Sequence, residues 1–574
     1  MATVPYLPTL GHDFVMDDGV QITKNPAVTQ SAPLSAYFLD KATIASRADY
    51  RVWYRPIRTV GFRAVAALGG VRPVSYGVTN LALYALCAIL VAGMALQVSG
   101  GDRAAALAAT ALWAALPVHV EPVSYYSALG DVLSLALELG ALSCAARAIG
   151  RPSRAALFGV ASLALALLAM GAKEMALTEG GILFVGIASA WSRLDPAARR
   201  RAILTLAGHA LVTVAYFALH HHIIGAVGQG AISAHTIGSG LLRAPVYLWA
   251  YVATIVAPTG HAAAYADLSS PAWKLAVSWL GVVAVAVATW RARQPTLRFA
   301  LGWFVVALIP VLHLVPLHSY YADRFALVPS VGLALALAVG LAALRGRTRA
   351  CALALAVPLC AGYLIATAVQ ARAWRDDRTL WQAAVDAQPR AALAHANLGL
   401  ALLRDRRPAD ALPHFEIARA IDGDKPEVRL GIATAYDQLG RAADAEAAAR
   451  AALASDDSDA RLHALLGGIL AKRGDLEGAA GEAERARTLN PDLASAWTLS
   501  AHLAEVRGAR ADALAAWRRA AALNPNAADL HAEIARLSLA SGDRAGAAVA
   551  ARSCLRLRPG DARCQALLAR TGSQ

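Results

Sequence analysis

Long apolar runs recur through residues 78–370, and no other feature of the chain restricts its fold as strongly. A membrane-spanning helix needs about 20 predominantly apolar residues, or somewhat fewer where flanking residues anchor it. Ten runs reach or approach that length: 78–98, 104–119, 129–149, 155–172, 177–192, 202–222, 272–290, 299–315, 325–344 and 350–370. They predict an all-α, polytopic membrane domain of about ten spans in this part of the chain.

Charge divides the chain into two parts. Residues 1–370 carry 26 Lys and Arg against 14 Asp and Glu, whereas residues 371–574 carry 28 against 26. The basic surplus lies among the apolar runs, where the positive-inside rule accounts for it, so we predict no nucleic-acid partner. Arg outnumbers Lys 48 to 6, which indicates GC-rich coding and a bacterial protein.

The arginines of the first part gather in alternate loops. The four groups are Arg147, Arg151 and Arg154; Arg193, Arg199, Arg200 and Arg201; Arg291, Arg293 and Arg298; and Arg345, Arg347 and Arg349. By the positive-inside rule these loops are cytoplasmic. The outward-facing stretches are then 1–77, 117–128, 173–176, 223–271, 316–324 and the chain after 370. The apolar run 241–257 would invert this pattern if it crossed the bilayer, so we predict an interfacial or re-entrant helix there.

Several ionisable residues fall together on the predicted outer surface. They are Asp17, Asp18, His119, Glu121, Lys173, Glu174, Asp323 and Arg324. Charges at membrane depth are costly, so they usually have partners or functions. The structural alternative is that Lys173 pairs with a carboxylate and Asp323 with Arg324 only to tie helix ends together. For Asp17 and Asp18, the acidic pair, the corresponding alternative is a helix cap or turn before VQITKN.

The second part of the chain repeats every 34 residues from position 392. One phase of the repeat holds Gly440, Gly474, Gly508 and Gly542, and another holds Ala411, Ala445, Ala479, Ala513 and Ala547. This period, with small residues at the helix crossing and Pro near the repeat end, is the tetratricopeptide pattern. Such repeats form a superhelix whose concave face commonly binds peptides, although a scaffold for other proteins is an alternative role. Cys554 and Cys564 could form a disulfide if this end faces an oxidising compartment.

These observations predict five parts of the chain. Residues 1–77 form an outer loop with the acidic pair and interfacial helices, and residues 78–370 form the membrane domain. Residues 371–391 form an amphipathic connecting helix. The five repeats occupy 392–425, 426–459, 460–493, 494–527 and 528–561, which together span 392–561. Residues 562–574 are a C-terminal cap or tail.

A set of short motifs resembles one family in the same order along the chain. These are GHDFVMDDGVQITKNPAV, WYRPIRTVGFR, VSYGVTNLALY, LPVHVEPVSYYSALGDVLS, GAKEMALTEG, SYYADRFALVPSVG and RAWRDDRTLW, followed by the repeats. The family is that of the transmembrane and tetratricopeptide-repeat O-mannosyltransferases and their bacterial relatives, which have the C-type glycosyltransferase fold. Two departures stand out. The family begins with a membrane span ahead of the acidic loop, whereas this chain opens at MATVPYLPTLG. A late start codon or a missing helix would explain this difference. With that helix restored, the domain would have eleven spans. The family usually has Glu where this chain has Asp323.

The resemblance implies an inverting glycosyltransferase that takes a sugar, mannose or a similar one, from a polyprenyl-phosphate carrier in the membrane lipid. The acceptor would be a protein Ser/Thr hydroxyl that the repeats engage. Inverting transfer needs a base, and we predict Asp17 for this role, with Asp18 orienting the acceptor or sharing the role. The leaving phosphate needs cations, for which Arg324 and Lys173 are candidates and Arg55 and Arg58 weaker ones. His119, Glu121, Glu174 and Asp323 would hold the sugar or organise the catalytic loop.

Other interpretations stay open at this point. No metal site is evident in the sequence, yet a divalent cation at the acidic pair is an alternative. The chain could instead be a ligase or polymerase of lipid-linked glycans with a polyprenyl diphosphate donor, or a non-enzymatic membrane scaffold. A transporter is disfavoured because no paired Gly- or Pro-broken spans occur in matching halves. The predicted location is the bacterial inner membrane, multi-pass, with the repeats in the periplasm.

Overall fold

The computed structural model describes residues 2–46, 50–225, 234–266, 268, 271–291, 294–313 and 321–572. Regular secondary structure in these residues is helical throughout, with no strand among them. The chain divides into two compact units, Met1–Ala391 and Ala392–Gln574. The predicted all-α class is therefore confirmed. Residues 316–320 of the last predicted outer stretch lie outside the described residues.

Short helices precede the first long apolar one. The α-helices are α1 (Pro26–Thr29), α2 (Leu34–Leu39) and α3 (Pro56–Gly69), with 3-10 helices at Val4–Thr9 and Lys41–Thr43 and a π-helical turn at Gly19–Thr23. Phe14 packs edge-on against Tyr76 and Tyr126 at ring-centroid distances of 5.7 and 5.6 Å. These aromatic contacts fix the N-terminal segment against the helical domain.

The remainder of the first unit is a helical bundle with long apolar members. Its helices are α4 (Pro73–Val98), α5 (Arg103–Ala115), α6 (Val120–Ser124), α7 (Leu129–Gly150), α8 (Ala155–Ala172), α9 (Glu179–Ala190), α10 (Pro196–Ile224), α11 (Ala234–Val256), α12 (Ala272–Arg291), α13 (Pro295–Leu308), α14 (Leu327–Ala343), α15 (Gly346–Ala373) and α16 (Asp377–Ala387). In the described residues nine helices are long and apolar enough to cross a membrane, or ten if the bent pair Arg103–Ala115 and Pro117–Ser124 counts as one span.

Lipid-facing and central helices can be told apart by burial. Leu157 and Val160 of α8 and Leu355 and Val357 of α15 are more than 60% exposed, which suits a hydrocarbon surrounding and not water. By contrast, most residues of α7 and α14 are buried inside the bundle. These two central helices carry or adjoin most of the polar residues discussed below.

The run 241–257 lies within α11, which extends to Val256. Its segment Ile237–Val256 is long and apolar enough to cross the bilayer by length and composition alone. The interfacial or re-entrant placement of this run stays a prediction.

The second unit is a tetratricopeptide-like solenoid of helix pairs. The helices are α17 (Ala392–Arg404), α18 (Pro408–Asp422), α19 (Pro426–Gln438), α20 (Ala442–Ser455), α21 (Ala460–Lys472), α22 (Leu476–Leu489), α23 (Ala494–Val506), α24 (Arg510–Leu523), α25 (Ala528–Ala540), α26 (Arg544–Leu557) and α27 (Ala562–Arg570). Within each pair the turn needs a left-handed residue. Glycine takes that position in four pairs, with φ from 73° to 89°, and Arg406 takes it in the first at 58°. A disulfide joins Cys554 of α26 to Cys564 of α27.

Candidate functional site

Asp18 anchors the acidic loop, residues 11–18, to the start of α7. Its carboxylate is fully buried and accepts hydrogen bonds from the backbone N–H and hydroxyl of Ser127 at 2.7 and 2.5 Å, and from the Val15 N–H at 3.0 Å. Asp18 makes no capping bond to the turn that follows, so the helix-cap alternative does not describe it. Burial raises the pKa of Asp18 to about 7. The hydrogen bonds from Ser127 and Val15 favour the charged form and act in the opposite direction.

The backbone just before the acidic pair is held in an unusual conformation. Met16 has φ +52°, in the left-handed region that non-glycine residues rarely adopt. Its N–H donates to the Asp377 carboxylate at 2.9 Å, and the Asp13 N–H donates to the Arg375 carbonyl at 2.9 Å. The Tyr126 hydroxyl donates to the His12 carbonyl at 3.2 Å. The acidic loop is thus fixed between the Tyr125–Ser127 segment and the start of α16.

Asp17 has the same side chain as Asp18 but differs from it in burial and in hydrogen bonding. Its side chain is half-buried, and it forms no hydrogen bond or ion pair with the residues that the structure describes. Its backbone carbonyl accepts hydrogen bonds from the Val20 and Gln21 N–H groups, so the turn that follows does not use the Asp17 carboxylate. This carboxylate is therefore accessible on a rigid loop.

Two of the predicted phosphate-binding cations already have carboxylate partners. Arg55 donates from Nε and Nη2 to Glu174 at 2.7 and 2.5 Å, a bidentate pair. Although burial lowers the pKa of Arg55, the Glu174 charge raises it above its ordinary value. The Lys173 Nζ donates to Asp131 at 3.0 Å, and both are buried. Burial, then the charge of Arg55, lowers the pKa of Lys173.

Arg324 pairs with Glu121 and not with Asp323, which corrects the pairing given by the structural alternative above. Its guanidinium and its backbone N–H both donate to the Glu121 carboxylate, the latter at 3.0 Å. Asp323 instead accepts from the Tyr265 hydroxyl at 2.5 Å and interacts with His261 Nδ1 at 3.0 Å. Although burial lowers the pKa of His261, the hydrogen bond and charge of Asp323 raise it above its ordinary value.

His119 is fully buried and engaged through both ring nitrogens. Nδ1 lies 2.7 Å from the Tyr84 hydroxyl, and Nε2 lies 3.0 Å from the Ser330 hydroxyl. The indole of Trp113 donates to the same Ser330 oxygen at 2.8 Å. These contacts hold His119 at the break between α5 and α6, and its predicted role toward the sugar or the catalytic loop stays a prediction.

Arg58 is the exception among the basic residues of the cluster. It is 4% exposed, and its Nε has no hydrogen-bond partner among the described residues, where the guanidinium also forms no ion pair. It lies over the Phe62 ring at 5.5 Å. Burial, and then the Arg55 charge, lowers the pKa of Arg58 to about 9, so it still carries its charge at neutral pH. The nearby charges of Glu174 and Asp131 offset part of the cost of burying this charge, and a bound anion would supply a direct counter-charge.

Tyr125 links the acidic pair to the basic residues. Burial raises its pKa well above the ordinary value, and the charges of Asp17 and Asp18 raise it further, whereas Arg324 lowers it. The same residue interacts electrostatically with Arg58. The acidic pair, Arg58 and Arg324 therefore all lie within electrostatic range of the buried Tyr125 side chain, and we call these residues the electrostatic cluster.

The structure adds several residues to the site residues predicted from the sequence. They are Tyr125, Ser127, Asp131, His261, Tyr265 and Asp377. Tyr125, Ser127 and Asp131 follow Glu121 in one motif, and Asp377 lies in RAWRDDRTLW, so their proximity to predicted site residues was an available signal. His261 and Tyr265 had no such signal.

A metal ion at the acidic pair lacks a ready set of ligands. In the part of the chain that the structure describes, the one cluster of three such ligands comprises Cys554, Asp561 and Cys564, and its cysteines are joined in a disulfide. A divalent cation at Asp17 and Asp18 stays an alternative prediction.

Comparison with known proteins gives similarity over parts of the chain. Models of the tetratricopeptide repeat family match residues 367–426 and 402–469. The human protein O-mannosyl-transferase TMTC2 is 30% identical over 141 residues, which is 24% of this chain and 17% of that protein. Protein O-mannosyl-transferase Tmtc1 of Drosophila melanogaster is 30% identical over 181 residues, which is 31% of this chain and 21% of that protein. The chain thus spans about a fifth of the length of these curated relatives.

Among solved structures, the chain is similar over about a third of its length to two tetratricopeptide-repeat proteins. TTC0263, a protein of Thermus thermophilus, is 22% identical with a TM-score of 0.29, covering 32% of this chain and 98% of that chain. YrrB, a protein with an unusual peptide-binding site, is 18% identical with a TM-score of 0.24, covering 32% and 96%.

Proposed function

We propose that this protein is a membrane glycosyltransferase that moves a sugar from a polyprenyl-phosphate carrier to a protein Ser/Thr hydroxyl. The observation that carries the proposal is the combination, in one electrostatic cluster, of an accessible carboxylate and a buried guanidinium without a carboxylate partner. Asp17 supplies the first and Arg58 the second. The similarity to proteins named O-mannosyl-transferases supports the reaction class and a mannose-like sugar.

Asp17 acts as the general base in this proposal. Its carboxylate takes the proton of the acceptor hydroxyl while the hydroxyl oxygen attacks the anomeric carbon from the face opposite the phosphate. The bond between the anomeric carbon and the phosphate oxygen breaks, and the electron pair leaves with the polyprenyl phosphate. Asp18 positions the base, because its three accepted hydrogen bonds hold the loop that carries Asp17.

Arg58 is the first contact for the donor phosphate in this proposal. Arg55, Lys173 and Arg324 are each compensated by a carboxylate, so an added anion must compete with that partner. The Arg58 guanidinium has no such partner among the described residues, and a phosphate would supply the missing counter-charge. This reverses the order predicted from the sequence, which ranked Arg324 and Lys173 first.

The disulfide supports an extracytoplasmic repeat domain. Disulfides persist in oxidising compartments and are rare in the cytosol. With the repeats outside, their concave surface would bind extended segments of acceptor proteins and raise the local concentration of hydroxyl groups. The protein would then be a multi-pass component of the bacterial inner membrane with its repeats in the periplasm.

The test is sugar transfer from radiolabelled polyprenyl-phosphate mannose, and from other polyprenyl-phosphate sugars, to periplasmic proteins in membranes. Wild type is compared with Asp17→Asn, and with Asp13→Asn as a matched control, because Asp13 is an exposed acid of the same loop. We expect Asp17→Asn to lower transfer by about 100-fold or more, as loss of a general base does. Asp13→Asn should stay within about twofold of wild type.

Three outcomes would contradict the proposal. Equal transfer by Asp17→Asn at equal expression would remove Asp17 from the base role. Transfer only from polyprenyl diphosphate donors to glycans would identify a ligase or polymerase. Absence of transfer from every donor, while repeat mutations disrupt envelope assembly and Asp17→Asn does not, would identify a scaffold.

A further inference from the structure

A cavity lies between α4, α7, α9 and α13, at the end of α7 farthest from Ser127 and the acidic pair. It encloses about 370 Å³. Its wall is mostly apolar and includes Leu142, Ile149, Leu183, Ile187 and Phe299. The proposed sugar transfer uses none of these residues.

Small side chains on two helices create this space. Ser143, Ala146 and Gly150 are spaced three and four residues apart, so they share one face of α7, and Gly186 and Ala190 share one face of α9 in the same way. A Cβ on Gly150 would meet nothing within 4 Å. Ala146 and Gly150 are exposed, so the cavity opens at the side of the bundle.

The opening is predicted to face the cytoplasmic leaflet of the bilayer. The wall adjoins two of the arginine loops that the positive-inside rule puts in the cytoplasm, those that begin at Arg147 and Arg193. The neighbouring apolar side chains of Leu96 on α4 and Phe184 on α9 are 36% and 57% exposed, which suits contact with hydrocarbon. With this orientation, the cavity lies where lipid chains meet their headgroups.

Three arginines surround the rim of the cavity. Arg193 lines it and is exposed, and it forms no hydrogen bond or ion pair with the residues that the structure describes. Arg147 Nη1 donates to the Ser143 carbonyl at 3.0 Å, and Arg201 Nε donates to the Ile149 carbonyl at 2.8 Å. Neither of these two arginines pairs with a carboxylate in the described part of the chain, and the described wall contains no Asp or Glu. The rim is therefore cationic without a counter-charge of its own.

The surroundings of Arg193 favour an anion. Asp195, the acid nearest to Arg193 along the chain, accepts the Ala198 N–H at 2.7 Å and caps α10. α13 begins at the cavity with Thr296 in the wall, and its N-cap residue Gln294 makes no side-chain hydrogen bond to it. The N–H groups of such a helix end and an arginine without an acidic partner both attract negative charge.

The size and charge of the site fit an anionic phospholipid with one acyl chain inside. An apolar cavity of about 150 Å³ holds a benzene ring, so a space of about 370 Å³ can take a chain segment of roughly twelve carbon atoms. A free phosphate ion would leave the apolar wall without contacts, and a neutral chain would leave the arginines without a counter-charge. Basic pockets between membrane helices on the cytoplasmic side are typical sites for anionic headgroups.

We propose that this cavity binds one anionic phospholipid from the cytoplasmic leaflet. One acyl chain fills the space between α7 and α9, and the phosphate pairs with Arg193. The lipid fills the gap that the small side chains leave between the helices, so it stabilises the bundle. This site is independent of the proposed sugar transfer.

The test measures lipid binding to the full-length protein in detergent by native mass spectrometry. The protein is titrated with phosphatidylglycerol and with phosphatidylcholine of the same two acyl chains, so that the lipids differ in headgroup and net charge alone. We expect one phosphatidylglycerol molecule to bind at least fivefold more tightly than phosphatidylcholine and to raise Tm. Inorganic phosphate at the same concentrations should neither displace the lipid nor raise Tm.

Two variants separate the role of the charge from that of the cavity. Arg193→Gln should reduce the affinity for phosphatidylglycerol to that for phosphatidylcholine, whereas Arg200→Gln, which removes an exposed arginine outside the wall, should leave it unchanged. Ala146→Phe should weaken the binding of both lipids at least fivefold, because the ring occupies the space for the chain. Ala156→Phe, at an exposed position of α8 outside the wall, is its matched control.

A phosphatidylglycerol with a photoreactive diazirine in one acyl chain locates the chain. After illumination, peptide mapping should find the crosslinks on wall residues of α4, α7, α9 or α13. Equal affinity for the two phospholipids, a retained preference for phosphatidylglycerol in Arg193→Gln, unchanged binding by Ala146→Phe, or crosslinks confined to other helices would overturn the proposal. Displacement of phosphatidylglycerol by an equal amount of polyprenyl phosphate would also overturn it, and would assign the cavity to the donor lipid.

Discussion

Asp17 and Asp18 are adjacent and chemically identical, yet their surroundings give them different roles. Asp18 is buried with three donors on its carboxylate, whereas Asp17 is half-buried with none among the described residues. The left-handed backbone at Met16 redirects the chain just before the acidic pair. A positioning residue and a reacting residue can therefore stand side by side.

Asp18 should make the stability of the protein depend on pH. Its pKa is about 7 in the folded protein, because of burial, against 3.8 for the free side chain. The folded state therefore binds the proton more tightly, and this stabilising contribution is complete below about pH 4 and is lost as pH rises through 7. The slope is at most about 1.4 kcal/mol per pH unit. We expect Tm in detergent to fall from pH 5 to pH 8 more steeply for wild type than for Asp18→Asn, and equal slopes would refute this.

Arg58 should show opposite effects on stability and on donor binding. Arg58→Gln removes a buried charge that forms no direct ion pair among the described residues, so we expect an increase in stability of about 1–3 kcal/mol. The same change removes the proposed phosphate contact, so KM for the donor should rise about 10- to 100-fold while KM for the acceptor stays unchanged. Arg58→Lys should restore part of the donor affinity.

The control for this prediction is Arg72→Gln, which removes one positive charge at an exposed position outside the cluster. Tm by intrinsic tryptophan fluorescence and steady-state transfer kinetics are the measurements. A fall in Tm for Arg58→Gln without any change in KM for the donor would assign Arg58 a purely structural role.

The sequence identifies the charged residues of the site but not which of them are paired. Pairing depends on how α3, α7 and α9 are rotated against one another, which a residue pattern does not specify. The sequence therefore ranks Arg58 below Lys173 as a phosphate ligand, because nothing in it shows that Lys173 is already bound to Asp131. Likewise Asp377, 360 residues after Asp17, can be joined to the acidic loop only by the folded chain.

At the scale of elements, two glycines of α14 make a matched pair. A Cβ on Gly332 would lie 2.7 Å from both the Ala300 carbonyl oxygen and the Phe304 nitrogen, which are backbone atoms of α13 and cannot rotate away. A Cβ on Gly340 would meet nothing within 4 Å. The close approach of α13 and α14 therefore depends on Gly332 alone of these two.

We expect Gly332→Ala to lower stability by about 1–3 kcal/mol, the usual cost of inserting a methyl group into a packed contact. Gly340→Ala should be neutral or stabilising by up to about 1 kcal/mol, because Ala is the better helix former. Tm in detergent measures both. Equal Tm values for the two variants would show that α13 and α14 are not packed as described.

Elements were predictable where a period or a hydropathy limit defines them. The 34-residue period placed glycine at the left-handed turns of four repeats and Arg406 in the same phase of the first, and φ is positive at all five positions. The sequence does not predict the break of 55° between Arg103–Ala115 and Pro117–Ser124, because residues 104–119 form one continuous apolar run. The sequence also does not predict the positive φ of Met16, because methionine has no preference for the left-handed conformation.

At the scale of the whole molecule, two independent features bear on orientation. The arginine loops predict which ends of the spans face the cytoplasm, and the disulfide between Cys554 and Cys564 calls for an oxidising compartment. The arginine loops predict that the chain after residue 370 faces outward, and the disulfide predicts the same side for the repeats. Cysteine chemistry can test both, because Cys351 is exposed and lies two residues beyond the Arg345–Arg349 loop.

A membrane-impermeant maleimide should label Cys351 only after the membrane is opened, because the proposed orientation puts this thiol on the cytoplasmic side. Cys554 and Cys564 should resist labelling in intact spheroplasts until an impermeant reductant is added, since their thiols are joined outside. The Cys351→Ser variant identifies the first signal, and the paired Cys554→Ala and Cys564→Ala variant identifies the second. Labelling of Cys351 in intact spheroplasts, or of Cys554 and Cys564 without reductant only after permeabilisation, would put the repeats in the cytosol. Sugar transfer to periplasmic proteins would then be impossible for this chain.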